Sequence, residues 1–400
     1  MGERPDWGQA TELDDISGNA AIAGVGESAY TKASGRTARE IGAEAAERAI
    51  ADAGLEPSDI DGLTWNRAFA DFDAAAFHEH FGAGHDLWTS HWGGGMTWAG
   101  TAPHLAAKAI EAGKATHVLN VFPVAWATQR GSMTGGPGET HAAQPLKQNL
   151  EVPFGFFPQP VYFATIMRRH MLEFGTTEEQ FGAIAVSCRR HANLHPDAVM
   201  HDKPMTLDDY LASPMLADPL RMFDSCLISD GGAAFVTTSI DRARDLRQPP
   251  AVVAGVGEGS AESGGHWSQQ RAFTSTPQVF AAPPAFKMAG LEPADVDVLT
   301  VYDPFTVVSM MQIEDMGFCP KGAAGALAEE GGLRHDSGRL AFNTHGGLLS
   351  HAYVLGIAHV VEVVKQLRGT APAQVPGCEV GVYGGYTGGN ASTLILRTDR

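Results

Sequence analysis

A twelve-residue phrase occurs twice in this chain. Ala53-Gly54-Leu55-Glu56-Pro57-Ser58-Asp59-Ile60-Asp61-Gly62-Leu63-Thr64 returns as Ala289-Gly290-Leu291-Glu292-Pro293-Ala294-Asp295-Val296-Asp297-Val298-Leu299-Thr300. Upstream, Ala23-Gly24-Val25-Gly26-Glu27 returns as Ala254-Gly255-Val256-Gly257-Glu258. The shifts run from 54 to 290 and from 24 to 255, so two landmarks keep their order at nearly one spacing. Such a spacing is far too long for a solenoid. The chain is expected to fold as two similar α/β halves packed as a pseudo-dimer.

Composition allows this. The 400 residues, 44% of them hydrophobic, suffice for two fused cores. A net charge of −18 argues against a nucleic-acid partner, because phosphate binding is carried by Lys and Arg clusters. A local basic rim remains compatible with a phosphorylated small molecule, since charges beyond roughly 8 Å are screened at physiological salt. The first residues, Met1-Gly2-Glu3-Arg4-Pro5-Asp6, lack the apolar core of a secretory signal. No run approaches the length of a membrane span. Cys188, Cys226, Cys319 and Cys378 are scattered with no C-x-x-C pair, which suits a reduced, cytoplasmic protein with no zinc site and no disulfide scaffold.

Hydrophobic periodicity sets the organisation. Residues 1–19 are polar and read as an extension. Residues 20–125 and 221–246 form the first half, with strands at Ala20–Val25, Ile60–Trp65 and Val118–Phe122. Its helices are Thr37–Ala53 and about Thr97–Ala112. Strand alternating with helix predicts a parallel sheet with helices packed on it. Residues 126–220 change character, with a glycine-rich stretch, an aromatic and proline-rich stretch and two helices, and read as an insertion. Residues 250–400 repeat the first half, and place a helix at about Tyr353–Leu367 after the turn Asn343-Thr344-His345-Gly346-Gly347.

From about residue 20 to 398 the chain resembles the thiolase superfamily, within it the sterol-carrier-like lipid-transfer thiolases. The motifs that carry this are Asp224–Ala234, Tyr302–Phe305, Gly317-Phe318-Cys319-Pro320-Lys321-Gly322, Asn343–Gly356, Gln366-Leu367-Arg368-Gly369 and the final glycine-rich strand. The resemblance implies two βαβαβ-type halves in five layers, with a substrate loop domain inserted on the first. It also implies a nucleophilic cysteine, and that group is missing. The family's spacing places the nucleophile at Met96, or at Gly95. Tyr302 stands where the family has asparagine in its Asn-Glu-Ala-Phe turn, Tyr353 where it has the histidine of Gly-His-Pro, and Tyr383 where it has its last cysteine. The remaining cysteines lack a basic neighbour in sequence and read as inert buried thiols.

Tyr302 and Tyr353 within Asn-Thr-His-Gly-Gly-x-x-Ser-x-x-Tyr resemble a narrower group, the steroid side-chain retro-aldolases. These split a β-hydroxyacyl-CoA side chain from a sterol ring without a covalent intermediate. The resemblance implies a steroid-like acyl-CoA substrate, with CoA part of the substrate and no separate cofactor. It implies a homodimer and an OB-fold/zinc-ribbon partner protein, together a heterotetramer. Retro-aldol cleavage needs a base for the hydroxyl, donors for the enolate oxygen and an acid for the enolate carbon. Tyr302 is assigned the base, steered by Asp303 and His345, and Tyr353 the acid, with the reverse assignment open. Donors to the enolate oxygen are His345 and the backbone of Gly346–Gly347 or of Gly93, Gly94 and Gly95, with His91 and Tyr383 nearby.

Plainer readings stand beside these. A tyrosine often packs half-buried with its hydroxyl on a carbonyl, and Tyr383 can simply fill the space of a lost cysteine. His91 can stabilise a turn. The spacing of His78, His80, His85 and His104 matches no ligand set, so no metal is expected. Gly24-x-Gly26 lacks the third glycine of a dinucleotide fingerprint and reads as structural. Phe154, Phe156, Phe157 and Tyr162 wall either a pocket or ordinary core. Two other functions stay open: a thiolase-like acyltransferase with an unlocated nucleophile, and a non-catalytic acyl-CoA- or sterol-binding subunit.

Overall fold

The computed structural model describes residues 5–65, 72–91, 95–129, 147–156, 158–264 and 266–399. Its centre is an 11-stranded sheet. The first half runs β2 (Ala20–Glu27), α1 (Ala38–Ala53), β3 (Gly62–Trp65), α2 (Ala74–Phe81), β4 (Trp88–His91), α3 (Gly95–Glu111), β5 (His117–Ala125). The insertion carries α4 (Gln159–Phe174), α5 (Glu178–Leu194), α6 (Leu207–Leu211) and a hairpin of β6 (Met215–Ala217) and β7 (Leu220–Arg221). Then β8 (Asp230–Ser239) and α7 (Ile240–Arg244) close that half.

The second half repeats the plan: β9 (Ala251–Ala261), α8 (Gln278–Ala289), β10 (Val298–Val301), α9 (Thr306–Asp315), α10 (Ala324–Glu329), β11 (Ala341–Phe342), α11 (Gly347–Ser350), α12 (Ile357–Arg368), β12 (Val380–Thr387), β13 (Asn390–Thr398). Strand orders are β4-β3-β5-β8-β2 and β11-β10-β12-β13-β9, the same arrangement twice. The halves join where Ala21 and Ile22 pair Val252 and Ala251.

The repeated phrase folds identically in both places. Gly54 and Gly290 end α1 and α8 in left-handed conformations (φ 76° and 67°), as a helix C-cap requires. A single 3-10 turn follows each, at Pro57–Asp59 and Pro293–Asp295. Asp59 and Asp295 accept the backbone N–H of Glu56 and Glu292, both at 2.8 Å. Asp61 then accepts the N–H groups of Thr116 and His117, and Asp297 those of Glu379 and Val380. Two aspartates thus tie equivalent strands together. The shorter repeat is packing chemistry. A Cβ on Gly24 or Gly26 would strike the backbone of α1, and one on Gly255 or Gly257 that of α8. These glycines let a helix lie directly on a strand, and they sit inside strands rather than at a turn.

Three expectations change. The sheet is mixed, because β8 and β13 return antiparallel beside β5 and β12. The N-terminal segment is not a free extension: Gly8–Thr11, β1, pairs antiparallel with β9. Tyr353 is not in the helix assigned to Tyr353–Leu367, since α12 begins at Ile357. Tyr353 lies in the loop before it, where Leu355 takes φ 55°. No helix among the described residues is long and apolar enough to cross a membrane.

Candidate active site

Tyr302 follows β10 directly, and its backbone is held on both sides. Its N–H donates to the carbonyl of Gly384 (2.8 Å), and its carbonyl accepts from the Gln312 side chain (2.7 Å). Asn343 fastens the end of β10, accepting the Val301 N–H at 2.8 Å and donating to the Val301 carbonyl at 3.1 Å. It does so in a left-handed conformation, φ 42°, which asparagine tolerates better than most residues.

Tyr353 arrives from the other direction. Its N–H donates to Ser229 Oγ at 2.7 Å, and its ring lies 5.9 Å from that of Trp126. Ser229 belongs to the strip that leaves the insertion for β8. That strip is stitched to the second half through Cys226 N–H to the Pro304 carbonyl and Leu227 N–H to the Leu348 carbonyl. The site therefore forms where the two halves and the insertion meet.

There the two phenol oxygens lie 3.1 Å apart. Tyr302 is 5% exposed, and Tyr353 is less deeply buried. Burial pushes the Tyr302 phenol well above its usual range, with Tyr353 and Cys226 adding to the effect. Burial also raises Tyr353, as does Cys226, but the hydrogen bond with Tyr302 works in the opposite direction. Both are neutral at rest.

The chain is similar to several known proteins. Residues 259–398 match the thiolase C-terminal domain-like family. Over 397 residues, 95% of this chain and 100% of the relative, the chain is 37% identical to a 17-hydroxy-3-oxo-4-pregnene-20-carboxyl-CoA lyase of Mycobacterium tuberculosis. It is 36% identical over 395 residues, covering 96% of this chain and 99% of the other, to a steroid side-chain-cleaving aldolase of Thermomonospora curvata. A solved Ltp2-ChsH2(DUF35) aldolase superimposes with a TM-score of 0.89 at 34% identity, covering 97% of this chain and 100% of that one. The chain belongs to the steroid side-chain-cleaving aldolases of the thiolase superfamily.

Within this aldolase fold the other sequence-assigned residues fall in several places. Asp303 does not reach the Tyr302 hydroxyl through a hydrogen bond. Its carboxylate is fully buried and bound by His359 Nε2 (3.0 Å) and the N–H groups of Leu348 (2.8 Å) and Leu349 (3.5 Å). Burial raises its carboxyl, and those partners oppose the rise. His345 is buried with Nδ1 unpartnered, and its ring packs edge-on to those of His359 and His351 at 4.6 and 5.1 Å. Burial, then His359 and His351, hold it well below the usual imidazole range, so it is neutral. Among the described residues no hydrogen bond joins it to either tyrosine. The steering of Tyr302 by Asp303 and His345 is thus replaced by direct contact with Tyr353.

The Gly346 N–H is committed to the Asn343 carbonyl at 2.7 Å, inside a turn, which removes it as an enolate donor. Gly347 opens α11 in a left-handed conformation, φ 63°, where a Cβ would fall on the Asp303 carboxylate. Tyr383 is buried and donates to the Met96 carbonyl at 2.5 Å. Its proton thus fastens the start of α3 and is not presented to a substrate. His91 is exposed on edge strand β4 beside the Trp65 ring, 5.4 Å away. Gly95 begins α3, while Gly93 and Gly94 lie outside the described residues. In the aromatic cluster Tyr162 is core against Phe156, Phe154 is 80% exposed, and Phe157 lies outside the described residues.

Sequence reasoning missed Ser229, Trp126 and His359. Ser229 lies inside Asp224–Ala234, a motif that carries the resemblance but assigns no role to this serine. His359 had no local signal: it occupies an apolar helix face like any core residue.

Proposed function

We propose that this protein cleaves the carbon–carbon bond of a β-hydroxyacyl-CoA whose hydroxyl-bearing carbon belongs to a steroid-like ring system. The products are a ketone on the ring and a shorter acyl-CoA of the propionyl type. The observation that carries this is the 3.1 Å contact between two phenols in the place of the thiolase nucleophile machinery.

Tyr353 is the better base, because Tyr302 is the more deeply buried of the two. As the Tyr353 oxygen takes the hydroxyl proton and in the same step passes its own phenol proton to Tyr302, the carbon–oxygen double bond forms. The electron pair of the breaking carbon–carbon bond moves into the thioester enolate. Tyr302 gives its own proton to the enolate carbon as the one from Tyr353 arrives across their hydrogen bond. One proton moves from oxygen to carbon, and the pair returns to its starting state. No acyl group is carried by the protein.

The thiols support this reading over acyl transfer. Burial raises Cys188 and Cys226 far above the ordinary thiol range, and Cys319 and Cys378 to about 12. None is a thiolate at neutral pH. A partner is also part of the proposal: an OB-fold/zinc-ribbon protein joins a homodimer of this chain in a heterotetramer. Likeness to a solved Ltp2-ChsH2(DUF35) aldolase supports the partner, and the edge position of β4 offers a surface for a second copy.

The test is incubation of the co-purified complex with a side-chain-hydroxylated steroid-CoA, followed by mass spectrometry. A ring ketone plus a shorter acyl-CoA supports the proposal. Binding without turnover, or an acyl group trapped on the protein, rejects it.

A further inference from the structure

His359 has no part in the chemistry above, yet it sits at the centre of the framework that holds the two tyrosines. Its Nε2 lies 3.0 Å from Asp303 Oδ1, and both side chains are fully buried. Asp303 is the residue after Tyr302. The same carboxylate accepts the Leu348 N–H at 2.8 Å and so anchors α11, whose last residue lies three before Tyr353. His359 lies on α12, which follows Tyr353. One carboxylate therefore connects the Tyr302 turn to the segment that leads into Tyr353 and to the helix that leads away from it.

His359 is fixed at both ends. Its carbonyl accepts the Thr300 hydroxyl at 3.3 Å, on the strand that delivers Tyr302. Its ring is enclosed by those of His345 at 4.6 Å and Tyr383 at 5.9 Å. Gly347 completes the fit, since any side chain there would displace the carboxylate. A fully buried carboxylate is costly without partners, so removing His359 leaves Asp303 to find another and to pull its segments with it.

We propose that the Asp303–His359 pair is a positioning device that sets the separation of the Tyr302 and Tyr353 hydroxyls. Asp303 acts through the backbone and touches no substrate. The inference rests on the two-tyrosine reading, but its structural half stands apart from turnover.

The test compares His359→Gln, whose amide retains a donor near Nε2, with His359→Asn, whose shorter side chain cannot reach, and with His359→Leu. A displacement on the order of 1 Å can cost about 100-fold, so kcat is expected to fall roughly 10- to 100-fold in the Asn and Leu variants. KM for the acyl-CoA should change less than about threefold, because the groups that bind substrate remain. His359→Gln should recover most of the loss. His359→Leu combined with Asp303→Asn should be no slower than the slower single variant, because both break one device. Crystal structures of the Asn and Gln variants supply the readout independent of activity: the hydroxyl separation lengthens in the first and is kept in the second. An unchanged separation in His359→Asn overturns the proposal, as do multiplying losses in the double variant. If the wild-type complex fails to cleave the steroid-CoA, the two-tyrosine reading falls, and the hydroxyl separations still decide this one.

Discussion

The hydroxyls of Tyr302 and Tyr353 lie 3.1 Å apart although 51 residues separate them in the chain. Each is delivered by a different constraint: Tyr302 by the end of β10, Tyr353 by Ser229. General acid–base groups contribute about 10²- to 10⁴-fold to rate. Tyr302→Phe and Tyr353→Phe are each expected to lower ketone formation by that order while thermal melting shifts by only a few degrees. Near-normal turnover in both variants would refute the mechanism.

The cysteines should be dispensable. Cys226 lies near both phenols, and burial keeps its thiol protonated and uncharged at neutral pH. Cys226→Ala is expected to keep turnover within about threefold of wild type, since it supplies no proton or nucleophile. Iodoacetamide at neutral pH should leave the activity intact over the same period. Rapid, stoichiometric inactivation by alkylation of Cys226 would revive the acyl-transfer reading.

Glu362 offers a pH test. It is buried, with one oxygen accepting from Thr344 and Gln366 and the other unpartnered. Burial raises its carboxyl to about 7. A folded-state value above the unfolded one means that stability is present at low pH and is lost as pH rises through about 7. Glu362→Gln does not titrate. At about 1.4 kcal/mol per tenfold change in ionisation, the rise from 4.5 to about 7 makes it more stable than wild type by roughly 3 kcal/mol near pH 8. The gain should vanish near pH 3.5, below the unfolded value of 4.5. Denaturant unfolding at both pH values measures it, and a gain independent of pH would show that packing is responsible.

Acid should destabilise the protein for the opposite reason. Burial depresses His195, His345 and His351, and brings His191 to about 3. The unfolded chain then binds more protons below about pH 6.5, so these histidines subtract stability as pH falls from there toward their folded values. His351→Phe, which keeps a ring without a titrating group, should flatten the acid limb of the stability curve. An unchanged limb would assign acid loss to other groups.

The repeated glycines make a symmetric prediction. Gly24→Ala and Gly255→Ala each force a methyl group into the backbone of the helix above, α1 or α8. Overpacking of this kind costs typically about 1–3 kcal/mol, and the two losses should be alike. Denaturant midpoints that fall for one and not the other would mean that the halves are packed differently from their common plan.

The duplicated phrase by itself pointed to two similar halves and to their equivalent helix ends, while the mixed strand order came only with the fold. Each feature there depends on short-range chemistry: a glycine in a left-handed cap, a proline opening a 3-10 turn, an aspartate reaching back three residues. The place of the two tyrosines was also legible, through a resemblance that the fold and the relatives bear out. What only the tertiary structure decided is which groups surround them. Asp303 was expected to serve Tyr302, and instead binds His359, 56 residues away. Tyr383 was read either as a neighbour of the enolate oxygen or as filler for a lost cysteine, and it holds the Met96 carbonyl across 287 residues. His359 carried no local signal, and the motif that holds Ser229 assigned it no role. A side chain's reach of a few ångströms is fixed by its type, but the partner inside that reach depends on how helices and strands pack, which no spacing in the chain records.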